Sequence, residues 1–149
     1  MNHLFQRCLI FAAGIITNSF GIAFITKGAL GTSPISSVPY VLSLKFAPSF
    51  GFFSFALNTL FVLIEIVLLR KDFRPFDFLQ LAVNLVFSCF IDISMAALCW
   101  LTPSGLFLRI LIVAAGSAIL GFGICLEVAP AVLLVPGEGV VNAIARTFH

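Results

Sequence analysis

Charge is what this sequence has least of. Of its 149 residues, 8 are Lys or Arg and 6 are Asp or Glu, or 9% of the chain, against roughly 25% in an ordinary soluble domain. A water-soluble globule of this size needs more polar surface than these side chains provide. The composition therefore excludes a soluble domain. The longest basic run is Arg70-Lys71, so no nucleic-acid partner is predicted.

Metal ligands and catalytic groups are equally scarce. The 2 histidines, His3 and His149, lie at opposite ends of the chain, and no two cysteines have the CxxC spacing. The sequence therefore predicts no metal, no cofactor and no enzymatic activity, since it has neither a Ser/His or Cys/His set nor an HExxH motif. We expect buried, unreactive side chains at all 4 cysteines, which are Cys8, Cys89, Cys99 and Cys125.

Apolar residues make up 61% of the chain, and its mean hydropathy is +1.19. A membrane-spanning helix needs about 20 mostly apolar residues. The apolar runs predict four spans, at 5–27, 50–70, 78–101 and 106–127. The predicted fold is an all-α polytopic membrane helix bundle, a single domain over 1–149.

The segment between the first two spans is apolar enough to enter the membrane. Thr32 or Ser33 can cap a helix that has Pro34 at its first position. That helix has about 12 residues and a length of roughly 18 Å, which is too short to cross. We interpret it as a re-entrant half-helix. A fifth full span would place Arg70 and Arg74 outside, against the positive-inside rule.

Basic residues set the predicted orientation. Arg70, Lys71 and Arg74 lie between the second and third spans, whereas loop 102–105 has no charge. The positive-inside rule therefore places the basic loop, and with it the N-terminus, in the cytoplasm.

The chain matches itself at a shift of 102 residues. Residues 9–14 align with 111–116, Arg7 with Arg109 and Pro34 with Pro136, and 13 of 39 aligned residues are identical. The prediction is a first repeat over 1–104 and a partial second repeat over 105–149. Three spans per repeat invert the second copy, as in many secondary transporters. We expect a C-terminally truncated chain, because two full repeats need about 204 residues, twice the shift.

Three motifs carry a family resemblance. They are Gly-Ala-Leu-Gly-Thr-Ser-Pro at 28–34, Leu-Leu-Arg-Lys at 68–71 with Phe-Ile-Asp-Ile at 90–93, and the Gly/Pro-rich stretch 127–139. With these motifs the chain resembles the bacterial YczE/YyaS/YitT-type integral membrane proteins, although Ile35 stands where relatives often have Trp. The resemblance implies a location in the bacterial inner membrane and no established activity.

We predict that the starts of the two half-helices form one substrate-binding site. A helix N-terminus inside the membrane presents free N–H groups and a positive dipole end, which suits an anionic group. Glu138 either caps its own helix or is a titrating partner that makes binding proton-coupled. The predicted residues are Thr32, Ser33, Pro34, Pro136, Gly137, Glu138 and Gly139.

Three carboxylates lie in or near the predicted spans, where a charge usually faces a cavity or a partner. Asp92 is predicted as an ion or proton site, with Asn84 and Ser88 on the same helix face. The alternative is a structural hydrogen bond between helices. Glu127, where the fourth span ends, is the second predicted ion or proton site. Glu65 either has a function or pairs with Arg70.

Small residues spaced i, i+4 indicate close helix packing in membranes. They predict that the first and fourth spans pack together through two stripes, which are Ala13, Thr17 and Gly21, and Ser117, Gly121 and Cys125.

The predicted function is a transporter-like or channel-like membrane protein for a small solute. The alternatives are a non-transporting membrane accessory factor and a truncated, inactive family member. The predicted partners are the lipid bilayer, a small solute or ion, and a second copy of the chain.

Overall fold

A computed structural model describes residues 2–69, 78–130, 137, 140–141 and 144–145. This part of the chain is all helical, without strands. It contains five helices, α1 (Asn2–Lys27), α2 (Pro34–Lys45), α3 (Phe50–Leu69), α4 (Leu79–Ala97) and α5 (Leu106–Val128).

Four of these helices are long and apolar enough to cross a membrane. The candidate spans are Phe5–Lys27, Phe50–Leu68, Leu79–Ala97 and Leu106–Val128. They confirm the four predicted spans, with ends that differ by at most a few residues. The basic loop that sets the predicted orientation lies outside the described residues, so the orientation stays a prediction.

Helix α2 begins where its sequence predicts. Ser33 is the N-cap and accepts a hydrogen bond from the Ser36 backbone N–H, and Pro34 occupies the first helical turn. The 12 residues of α2 are fewer than a membrane crossing needs. Its re-entrant course stays a prediction, as does the second half-helix. Residues 137, 140–141 and 144–145 are helical, but Pro136, Glu138 and Gly139 lie outside the described residues.

Helices α1 and α5 run antiparallel in the most extensive helix–helix contact of the described bundle. Glycines on both helices let backbone approach backbone: an added Cβ at any of four glycines would lie 2.6 to 2.8 Å from the other helix. These glycines are Gly14, Gly21, Gly116 and Gly123. Contacts join residues 14 and 127, 18 and 123, 21 and 120, 25 and 116, and 28 and 113, and each pair of numbers adds to 141.

The predicted pairing of the first and fourth spans is therefore present, but the predicted stripe on the fourth span is wrong. In the stripe on the first span, Gly21 lies at the contact, whereas Ala13 is exposed. Ser117, Gly121 and Cys125 are exposed, and no atom lies within 4 Å of a Cβ built on Gly121. The contact is made two residues further along, at Gly123, and at Gly116. Small residues spaced i, i+4 lie on one face of a helix, but the spacing does not show whether that face contacts the neighbouring helix.

The prediction of buried cysteines is also wrong. All four cysteines are free and exposed on the surface of the bundle. The physical reason is that the outer surface of a membrane protein meets lipid, where a small apolar thiol needs no protein cover.

Candidate functional site

The five helices surround a cavity of about 780 Å³, which we call the central cavity. Most of its wall is apolar, as is usual for sites that bind small molecules. Among the described residues, six polar ones contribute to the wall, namely Asn18, Ser33, Ser36, Ser54, Asn58 and Glu127.

Glu127, at the end of α5, contributes a carboxylate to the wall of the central cavity. Its side chain is 2% exposed, and Asn18 Nδ2 on α1 donates a hydrogen bond of 2.7 Å to Glu127 Oε2. The two residues are brought together by the glycine-lined contact, since the Gly14 backbone lies against the backbone of Glu127. A carboxylate buried in this way marks a candidate ligand or ion site.

The start of α2 forms a second part of the wall. Ser33 Oγ lies 3.0 Å from Ser36 Oγ and accepts the Ser36 N–H at 3.3 Å. Gly137 lies close by, because a Cβ built on it would be 3.3 Å from Ile35 Cδ1. Thr32 is half-buried, with its hydroxyl oxygen 3.3 Å from that of Thr26, and does not line the central cavity.

Helix α3 supplies the wall with an amide that is fixed by α4. Asn58 Nδ2 donates to Asn84 Oδ1 at 2.9 Å, and Asn84 Nδ2 donates to the Phe55 carbonyl at 3.2 Å. Asn58 and Ser54 line the central cavity, and both are more than nine-tenths buried. Hydrogen bonds to α4 therefore fix which face of α3 is turned to the cavity.

Asp92 lies on a different part of the bundle. Its Oδ2 accepts from Ser49 Oγ at 2.6 Å, and its Oδ1 accepts from the Gly51 N–H at 2.7 Å. A carboxylate at the first turn of a helix satisfies N–H groups that have no partner within the helix. These contacts favour the structural alternative, in which Asp92 on α4 caps α3, and its role as a proton site stays a prediction.

Glu65 is 3% exposed on α3 and does not line the central cavity. Its predicted partner Arg70 lies outside the described residues.

The structure thus brings some predicted site residues together and separates others. Ser33, Pro34, Gly137 and Glu127 share the central cavity, whereas Asp92 lies elsewhere. Sequence reasoning missed four polar residues of the described wall. They are Asn18, Ser36, Ser54 and Asn58, and the available signal was an amide or hydroxyl inside an apolar run. Within the described part of the chain, no three His, Cys, Asp or Glu side chains are placed to hold a metal ion.

Four apolar helices around a partly polar cavity define a multi-pass membrane protein. Residues 5–149 match the model of the Family of unknown function (DUF6198), and the chain belongs to this family. No curated protein matches the chain, and no solved structure does.

Proposed function

We propose that the protein is transporter-like or channel-like and binds a small solute in the central cavity. The observation that carries the proposal is a cavity of about 780 Å³ whose wall includes a buried carboxylate and amide. A volume in the range of roughly 300–1,000 Å³ is typical of small-molecule sites. Buried polar groups within membrane helices usually mark the path of a substrate or ion. We keep the proposal that the protein is not an enzyme.

The α1–α5 contact is compatible with an inverted repeat, as any antiparallel crossing of these two helices in this register would be. If α5 is the repeat of α1, shifted by 102 residues, a contact between residues 14 and 127 requires an equivalent contact between 25 and 116. Both contacts occur, and so do the equivalent pair 18 with 123 and 21 with 120. Gly14 and Gly116 are equivalent at the shift of 102, and each allows the same close contact between α1 and α5, on opposite sides of the proposed two-fold axis.

A different observation supports the axis. Ile35 and Gly137 are equivalent at the shift of 102, and a Cβ built on Gly137 would lie 3.3 Å from Ile35 Cδ1, as expected of equivalent residues that lie close to a two-fold axis. Eight of the 18 described residues that line the central cavity form four pairs that are equivalent at the shift of 102. The pairs are Asn18 with Leu120, Ile22 with Ile124, Ile35 with Gly137 and Pro39 with Val141.

The proposed axis therefore passes through the central cavity. In inverted-repeat transporters, substrate sites lie at the interface between repeats, where short or interrupted helices begin. Ile35 at the start of α2 and its proposed equivalent Gly137 both line the central cavity, which supports a site at such a place. Irregular backbone at membrane depth is tolerated where it is buried in protein or lines a water-filled cavity.

The test uses a tryptophan substitution to fill the central cavity and measures the electrical current that a solute produces in proteoliposomes. Leu57 lines the central cavity, whereas Leu60 on the same helix is 51% exposed. Proteoliposomes on a solid-supported membrane would be challenged with ammonium, tetramethylammonium, acetate, phosphate and glycerol. We expect a current with at least one solute, lost in Leu57→Trp because the indole fills the cavity, and kept in Leu60→Trp.

Equal currents in both tryptophan variants would contradict a site in the central cavity. No current and no thermal stabilisation by any solute would favour an accessory factor.

We further propose that the protein is a YczE/YyaS/YitT-type protein of the bacterial inner membrane with a cytoplasmic N-terminus. In a variant lacking the native cysteines, a membrane-impermeant maleimide applied to spheroplasts should label Ser104→Cys and not Asp72→Cys. The reverse pattern would overturn the orientation.

A further inference from the structure

Resting on the proposed solute cavity, we propose that Asn58 Oδ1 and Ser54 Oγ on α3 recognise the solute through its own N–H or O–H donors. The class of solute is that of small hydroxyl, amide or primary ammonium compounds. These compounds share a hydrogen-bond donor that their fully methylated analogues lack.

Hydrogen bonds between α3 and α4 decide which atom of Asn58 is left for a solute. The Phe55 carbonyl can only accept, so Asn84 turns its Nδ2 to that carbonyl, at 3.2 Å. Asn84 Oδ1 is then the atom that accepts from Asn58 Nδ2, at 2.9 Å. The carbonyl thus fixes the orientation of both amides, which leaves Asn58 Oδ1 as an acceptor without a partner in this series.

Two polar atoms on one face of α3 make no hydrogen bond within the described part of the chain. They are Asn58 Oδ1 and Ser54 Oγ, and their residues line the central cavity at 8% and 6% exposure. Neither atom is enclosed by protein, whereas Asn18 Oδ1 is. Residues four apart on a helix have Cβ atoms about 5–6 Å from each other, so one small solute can contact both.

An unpaired amide oxygen on the cavity wall selects for a donor. This oxygen accepts and cannot donate, and leaving it unpaired against an apolar group is unfavourable. An N–H or O–H of the solute satisfies Asn58 Oδ1, whereas a methyl group at the same place does not. The Ser54 hydroxyl both accepts and donates. A site of this kind discriminates against an analogue without the donor more strongly than an apolar pocket discriminates against an added methylene.

The start of α2, on the same wall, offers little to an anion. Pro34 has no N–H, and the Ser36 N–H already donates to Ser33 Oγ. Ser37 N–H makes the first bond of the helix, to the Ser33 carbonyl at 2.9 Å. Few N–H groups of this turn thus remain for a carboxylate or phosphate, although such groups are what make a helix N-terminus an anion site.

The experiment compares solutes with and without donors as ligands of the central cavity. In a variant lacking the native cysteines, Leu57→Cys reports on the cavity that Leu57 lines. Uncharged methyl methanethiosulfonate labels the thiol, and each solute is titrated for its ability to slow the labelling. Two matched pairs are acetamide with N,N-dimethylacetamide and methylammonium with tetramethylammonium, and glycerol is a further donor. Leu60→Cys, at a position that is 51% exposed, corrects for effects of the solutes on the reagent.

We expect protection of Leu57→Cys by the solutes that carry donors. Acetamide or methylammonium should halve the labelling rate at a concentration at least about tenfold below that of its methylated partner, because the methylated compound leaves an acceptor unpaired. Protection by acetamide and glycerol alone supports the proposal and assigns the donor to a neutral solute. Protection by methylammonium alone supports it and assigns the donor to a cation.

Three variants on α3 assign the preference to its source. Asn58→Leu, of similar shape, should bring the concentration ratio within each pair close to one. Ser54→Ala should lower the ratio about threefold; it keeps the bond between Asn58 and Asn84, and so remains informative if Asn58→Leu does not fold. Thr59→Val is the matched control and should leave the ratio unchanged. Thr59 follows Asn58 on α3, and its enclosed hydroxyl does not line the central cavity.

The outcomes separate this inference from the proposed function. Equal protection by the methylated and unmethylated members of each pair, or a ratio unchanged in both Asn58→Leu and Ser54→Ala, would overturn the preference for donors and leave a solute cavity in place. Labelling of Leu57→Cys that no solute slows would contradict this inference and the proposed function together. Failure of the reagent to reach Leu57→Cys would contradict the cavity itself.

Discussion

Two interfaces of this bundle hold helices together in different ways. Where α1 crosses α5, the backbone at Gly14 meets the backbone of Glu127, and equivalent glycines repeat this contact along the helices. Where α3 meets α4, side-chain hydrogen bonds join the helices: Asn58 donates to Asn84, and Asp92 accepts two hydrogen bonds at the start of α3, where Gly51 lies against the Ser88 carbonyl.

The difference follows from the solvent. Lipid gives two apolar helices no hydrophobic reason to associate, so packing and hydrogen bonds provide the attraction. Close packing works over a long contact and needs small side chains at regular positions. A hydrogen bond works at one point and fixes the rotation of a helix. The α1–α5 contact therefore fixes how these two long helices pack along their length. The α3–α4 contact fixes the rotation of α3, so that Ser54 and Asn58 face the central cavity.

The largest effect on stability is expected from a substitution that disrupts the α1–α5 contact. A Cβ at Gly123 would lie 2.6 Å from the Asn18 backbone, so Gly123→Ala should lower the free energy of unfolding by about 1–3 kcal/mol. The measurement is SDS titration in mixed micelles, followed by circular dichroism.

The control lies two residues away on the same helix. A Cβ at Gly121 meets nothing within 4 Å, so Gly121→Ala should be neutral or stabilising by up to about 1 kcal/mol, the helix propensity gained. Equal losses in the two variants would show that helix propensity, and not contact, governs these positions.

The second largest effect is expected when Asp92 on α4 no longer caps the start of α3. Asp92→Ala deletes the acceptor of the Gly51 N–H and should cost about 0.5–2 kcal/mol, measured by the same titration. Asp92→Asn should cost less, because its amide oxygen still accepts that bond. A stable Asn variant that has lost a pH-dependent solute current would instead restore Asp92 as a proton site.

The smallest effect expected is the coupling energy between Asn58 on α3 and Asn84 on α4. A double-mutant cycle with Asn58→Ala and Asn84→Ala should give a coupling energy of about 0.6 kcal/mol, the average for such bonds between membrane helices. The control cycle combines Asn84→Ala with the exposed Ser117→Ala, for which additivity is expected. Coupling of the same size in both cycles would show that the amide bond is not its source.

Sequence patterns predicted the elements better than the contacts between them. Charge-free runs located all four long helices, and Ser33-Pro34 located the start of α2, because both signals are local. The stripe on α5 was wrong because its exposed and buried sides carry equally small residues: Gly121 is exposed and Gly123 lies against α1.

The sequence by itself determined that this chain is a helical membrane protein, that it has four spans and a short fifth helix, and that its two parts match at a shift of 102 residues. These properties follow from composition, run length and self-comparison. Only the tertiary structure decided that Glu127, and not Asp92, lines the central cavity. Glu127 and Asp92 are both acidic residues in apolar helices, and local sequence does not distinguish them. Helix packing does, because the α1–α5 contact brings Asn18 to Glu127, while the start of α3 brings Ser49 and Gly51 to Asp92.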